Sequence, residues 1–161
     1  MKINNKYNNI VNLNNFYNCK VNKYFSKIKK ITDFILNEEK KNDYYIIEVN
    51  FVNNKIIKKI NNDYRKKNKV TDVISLSFSK DGVLIVNNKK YFFLGEIYIS
   101  IDKVKQQAKK YKNTFFYELF FLYIHGLLHL LGFDHIKKDD DIIMTKKLEE
   151  ILKKNKWIKN S

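Results

Sequence analysis

"FFYELFFLYIHGLLHLLGF" spans residues 115–133, and its reading decides how this chain of 161 residues folds. By length alone the run could cross a bilayer. Glu118, His125 and His129 lie within it at whole-turn spacing, however, on one helical face. Ionisable groups inside a membrane are costly. The run therefore reads as the buried central helix of a soluble domain. Such a helix needs a sheet and further helices around it, and the flanking sequence supplies both.

"YYIIEVNFV" (44–52), "VTDVISLSF" (70–78) and "LGEIYIS" (94–100) read as strands. The second alternates Ile74, Leu76 and Phe78 with Ser75 and Ser77, so one of its faces is polar. Asp81-Gly82 is a turn signal, and "VLIV" (83–86) follows it as a hairpin partner. From Asn22 onward, Tyr24, Phe25, Ile28, Ile31 and Ile35 recur at helical spacing. Ile56, Ile57, Ile60 and Tyr64 form one face of a short helix within 53–65. Ser100 can cap a helix that carries Ile101, Val104, Ala108 and Tyr111. A last helix starts in Asp139–Asp141, whose carboxylates suit a helix N-terminus, and it offers Met144, Leu148, Ile151 and Leu152 to the core. Residues 1–21 are weakly patterned and contain a first strand. Strands alternate with helices without repeats or a long linker. The expectation is an α/β (α+β) fold, a single domain over residues 1–161. One mostly mixed β-sheet is covered by helices, and the histidine-bearing helix is buried at its centre.

The net charge is +15, from 32 basic and 17 acidic residues, which predicts a polyanionic partner, most simply nucleic acid. The competing explanation is coding bias. The chain is rich in Asn, Lys, Ile, Tyr and Phe and has no Pro, as an AT-rich genome favours. The same bias makes the exceptions informative. Of the four glycines, Gly126 and Gly132 lie beside the histidines, and Arg65 is the single arginine. Lysine cannot copy a planar guanidinium gripping phosphate through two parallel hydrogen bonds. The lone Cys19 forms no intrachain disulfide, which is compatible with a reducing compartment. The N-terminus has no secretory core, so the cytoplasm is expected, with an organelle as the alternative.

His125, His129 and His135 are all the histidines of the chain. On a helix His125 and His129 stack one turn apart, spaced for a shared metal ion. Gly132 permits the backbone turn that ends the helix and returns His135 as a third ligand. Three neutral imidazoles suit one Zn2+ with its fourth position open, the pattern of a catalytic site. The spacing H-x-x-x-H-x-x-G-x-x-H is also that of metzincin peptidases. Those carry Glu, their general base, where this chain has Gly126. A peptidase would need another base, such as Glu118.

"HGLLHLLGFDH" (125–135) resembles the signature of the YbeY family of zinc-dependent endoribonucleases, which are ribosomal RNA maturation factors. The likeness extends to "INNDYRKKNKVTDVIS" (60–75), to "LGEIYIS" with Glu96 in place of the usual Asp, and to Met144 and the final helix. It covers roughly residues 45–152. "SLSF" stands where the family usually reads Ser-Phe-Pro, and Ile136 where an acidic residue is common. The resemblance implies a single-strand-specific endoribonuclease that acts in small-subunit ribosomal RNA 3′-end maturation and in ribosome quality control. Its partners would be ribosomal RNA and components of the small ribosomal subunit, with no membrane and no DNA specificity. It implies His125, His129 and His135 as zinc ligands and Arg65 as the functional arginine of the cleft. The general base stays open. Asp134 either orients a ligand histidine or is an ordinary turn residue. Two rivals stand beside this reading: an RNA-binding ribosome-assembly factor whose zinc is largely structural, and a zinc metallopeptidase.

Overall fold

One mixed sheet is built from β1 (Ile10–Asn15), β2 (Tyr44–Val52), β3 (Val73–Ser77), β4 (Val83–Val86) and β5 (Lys89–Ser100). Five helices accompany it among the described residues: α1 (Phe25–Glu38), α2 (Asn54–Arg65), α3 (Ile101–Tyr111), α4 (Phe115–Leu130) and α5 (Lys138–Lys154). The computed structural model describes residues 9–159 except 19, 40, 42, 79–81 and 135. Asp81 of the expected turn and the expected ligand His135 therefore lie outside the described residues.

β5 is the hub. It pairs in parallel with β2 along one edge. Along the other edge, its first half pairs antiparallel with β4 and its second half with β3. β1 extends the sheet in parallel beyond β2. The strand starts at Lys89, five residues before the sequence pattern suggested. Asn87 and Asn88 both take positive φ, 49° and 60°, the conformation of a two-residue hairpin loop, and this turn pulls the polar Lys89 and Lys90 into the β4 ladder. The strand expected over 70–78 is shorter, because Asp72 accepts from Val73 N and from Gln107 Nε2 and so ties the chain to α3 before the ladder begins.

Side chains alternate across the sheet. Val49 and Phe51 of β2, Val73 of β3, and Ile97 and Ile99 of β5 join the main core, together with Ile28, Ile31 and Ile35 of α1 and the apolar side of α4. Met144, Leu148, Ile151 and Leu152 of α5 close that core as the sequence suggested. Val52, Ile74, Leu76 and Tyr98 point the opposite way, into a smaller cluster with Ile57 of α2. Glu48 and Glu96, adjacent in register, share that second face.

The helix boundaries follow from caps. Asn53 accepts from Ile56 N, Ser100 from Lys103 N and Thr114 from Tyr117 N, each side chain satisfying an amide that the helix leaves unpaired. α4 is the buried central helix, with Phe120, Tyr123, Ile124, Leu127 and Leu128 fully enclosed. No helix among the described residues is long and apolar enough to cross a membrane.

Candidate active site

Gly126 fixes how α4 meets the sheet. A Cβ there would lie 2.9 Å from Ile97 Cγ2, 3.1 Å from Ser75 Oγ and 3.2 Å from Val73 Cγ2. The helix backbone thus rests directly on β3 and β5. Ser75 Oγ donates to the Gly126 carbonyl oxygen at 2.8 Å and fastens the contact. This packing explains why position 126 holds no glutamate. A carboxylate there would be driven into Val73 and Ile97, so position 126 cannot supply a peptidase-type base. Glu118, the other base considered, is 4% exposed and accepts from Asn113 Nδ2 at 2.6 Å. It sits two turns, about 10 Å, along the axis from His125.

With position 126 against the sheet, the helical rotation of about 100° per residue carries His125 and His129 out together on one flank of α4. Both are half-buried. Their Nε2 atoms are 3.1 Å apart, and their rings meet at 73° with centroids 4.7 Å apart. Two ligands on one tetrahedral ion, with bonds of about 2.0–2.1 Å, lie about 3.3 Å apart. The pair therefore fits a shared ion through Nε2. Gly132 then takes φ of 95°, and its N–H bonds the His129 carbonyl at 3.0 Å, which stops the helix and turns the chain toward Asp134.

Arg65 arrives from the other side of the sheet edge. It is the last residue of α2, and Lys66 follows in the left-handed region with φ of 57°. Asn61 Nδ2 donates to the Lys69 carbonyl at 2.8 Å and holds the returning loop against the helix end. The exposed Arg65 side chain meets His129 in one cavity of about 220 Å³, with Ser75, Ser77, Gly132 and Asp134 among its lining residues. The single arginine and a histidine of the cluster, 64 positions apart in sequence, thus face the same space. His125 is joined to it through the contact between the two imidazoles. Ser75 and Ser77 were not assigned a role from sequence, although the polar face of their strand was the signal that marked them.

The model of the family described as Endoribonuclease YbeY matches residues 9–156 of the chain. The protein of that name from Malacoplasma penetrans is 45% identical over 131 residues, which is 81% of this chain and 84% of the relative. The one from Ureaplasma parvum serovar 3 is 44% identical over 140 residues, 85% of this chain and 84% of the relative. The one from Clostridium botulinum strain Langeland is 41% identical over 142 residues, 80% of this chain and 86% of the relative. A Thermotoga maritima protein known from its solution structure superposes with a TM-score of 0.59 at 26% identity, covering 94% of this chain and 93% of that one. The match reaches back across β1 and α1, well upstream of the motifs that first suggested it, and the chain belongs to the YbeY family of endoribonucleases.

Proposed function

We propose that this protein is a zinc-dependent endoribonuclease that cuts single-stranded RNA, with small-subunit ribosomal RNA as its substrate, acting in ribosome maturation and quality control in the cytoplasm. The observation that carries the reading is the shared cavity of Arg65 and His129. A guanidinium and a metal-ligating imidazole converging on one small space suit a phosphodiester. In this reading His125, His129 and His135 hold the zinc. When bound, it supplies Lewis-acid polarisation of a phosphate oxygen and a more acidic water. The chain's own residues do the rest. Arg65 pairs with the phosphate through two parallel N–H donors and neutralises charge as it develops. Ser77, on the cavity wall, offers a hydroxyl to the same phosphate. Lysines of α2 and the following loop, Lys55, Lys58, Lys59, Lys66, Lys67 and Lys69, draw the polyanion toward Arg65.

The test compares wild type with His129→Ala on single-stranded RNA and on casein, with metal content measured in both proteins. The expected result is about one zinc per wild-type chain, RNA cleaved, casein intact, and both zinc and cleavage lost in the variant. Zinc and RNA bound without cleavage would overturn the enzymatic reading in favour of an assembly factor. Cleaved casein would overturn it in favour of a peptidase.

A further inference from the structure

We infer that the aromatic cavity beside the Arg65–His129 cleft is a nucleobase subsite, which takes an unpaired base of the RNA strand next to the phosphate held in the cleft. The inference rests on the endoribonuclease reading above. The cavity has a volume of about 760 Å³, within the ordinary range of about 300–1,000 Å³ for sites that enclose small organic groups. Ser77 and Gly132 line both this cavity and the cleft, so the two are continuous.

Two rings face it from the sheet. Tyr45 and Phe92 are register partners on β2 and β5, with centroids 6.3 Å apart, on the face that the end of α4 covers. Phe78 and Phe93 meet edge to face at 6.5 Å and 86° on the opposite face, beside Glu48 and Glu96. At the rim Lys41 and Asp43 offset each other's charge, so attraction inside the cavity comes from the rings and not from phosphate neutralisation.

The occupant follows from continuity and charge. A chain with net charge +15 and a phosphate-handling cleft brings a nucleic acid strand to this mouth. A base hangs one sugar away from each phosphate, so the space next to a phosphate site receives a base. Aromatic faces accept any base by stacking, without reading its sequence. Only a base free of a helix can swing out to enter. The cavity thereby supplies a physical origin for single-strand preference.

The experiment uses two oligoribonucleotides of equal length and charge, one intact and one abasic at three central positions. Binding is read by fluorescence anisotropy before appreciable turnover, and cleavage is followed on the same samples. Wild type should bind the abasic strand about tenfold more weakly or worse, the scale of one lost stacking contact. Phe92→Ala and Phe92→Leu should bind both strands at the weaker level, the second variant keeping apolar bulk without a ring. Phe92→Trp should restore the discrimination. Equal binding of the two strands by wild type, or discrimination that survives in Phe92→Leu, would overturn the subsite while leaving the nuclease reading intact. If neither strand is bound or cleaved, the nuclease reading falls and the subsite falls with it.

Discussion

Gly126→Ala is the substitution most directly set by the packing of α4. In an ordinary helix interior the change would stabilise by about 1 kcal/mol through backbone entropy. Here the new methyl would lie 2.9 Å from Ile97 Cγ2 and 3.2 Å from Val73 Cγ2. Carbon atoms pack best at about 3.5–4.0 Å, so relief needs a displacement of about 0.6–1 Å. Neither neighbour can give way by rotation, since both are β-branched side chains on sheet strands. Ser75 Oγ, 3.1 Å from the new atom, can move only by weakening its bond to the Gly126 carbonyl. Overpacking of this kind costs about 1–3 kcal/mol. Set against the helix gain, the net destabilisation is about 1 kcal/mol, a fall of about 2–4 °C in melting temperature for a domain of this size. The functional loss should be far larger. The helix must lift from β3 by most of an ångström, carrying His125 and His129 away from Arg65, and a misplacement of about 1 Å can cost about 10²-fold in rate. The assay is thermal melting by circular dichroism together with RNA cleavage. A variant that melts at or above the wild-type temperature and cleaves within threefold of it would refute the claim that Gly126 seats the histidine helix.

Arg65→Lys keeps the charge but loses the planar pair of donors, so cleavage of single-stranded RNA should fall by about 10²-fold or more while RNA affinity and zinc content change little. A near-wild-type rate would leave Arg65 a surface residue. Asp33 of α1 is 2% exposed and accepts from Asn9 Nδ2 at 2.9 Å, and burial pushes its carboxyl above the usual range against the weaker lowering by that bond and by Lys29. The folded state thus holds this proton more tightly than the unfolded one, so the charged carboxylate detracts from stability as pH rises above the ordinary value of about 3.9. Asp33→Asn should raise the urea midpoint at pH 7, with the gain vanishing below about pH 4; a lower midpoint at pH 7 would contradict this account. RNA affinity should drop steeply between low and physiological salt, and a flat response would mean that the lysines are coding bias and not a binding surface.

Much of this architecture is visible in the sequence because single residue types carried it. The run 115–133 could only be a central helix once its ionisable groups were seen, and Ser100 and Gly132 act as the cap and stop that their chemistry suggested. Scarcity sharpened the site. The lone arginine reaches the cavity of His129, and Gly126 and Gly132 each occupy a position where a side chain or a negative φ would not serve. What escaped the sequence was tertiary. The Asn87–Asn88 turn extends β5 into residues whose lysines conceal a strand. Ser77 showed a polar face but not what it faced. The aromatic cavity draws on β2, β5 and the end of α4, so no local pattern reveals it.

The position of β5 as hub also bears on how the molecule comes into being. A ribosome delivers the chain from its N-terminus, so β1, β2 and Arg65 emerge before the strand that must lie between β2 and β3. Until residues 89–100 are made, the 44–52 strand has an unfilled edge and the sheet cannot close. The histidines follow later still, on α4. Domains generally fold as units once their chain is available. A partly synthesised copy therefore contains the arginine but neither the central strand nor the imidazoles. The walls of the Arg65–His129 cavity therefore come together only after α4 has been made, however early the arginine itself appears.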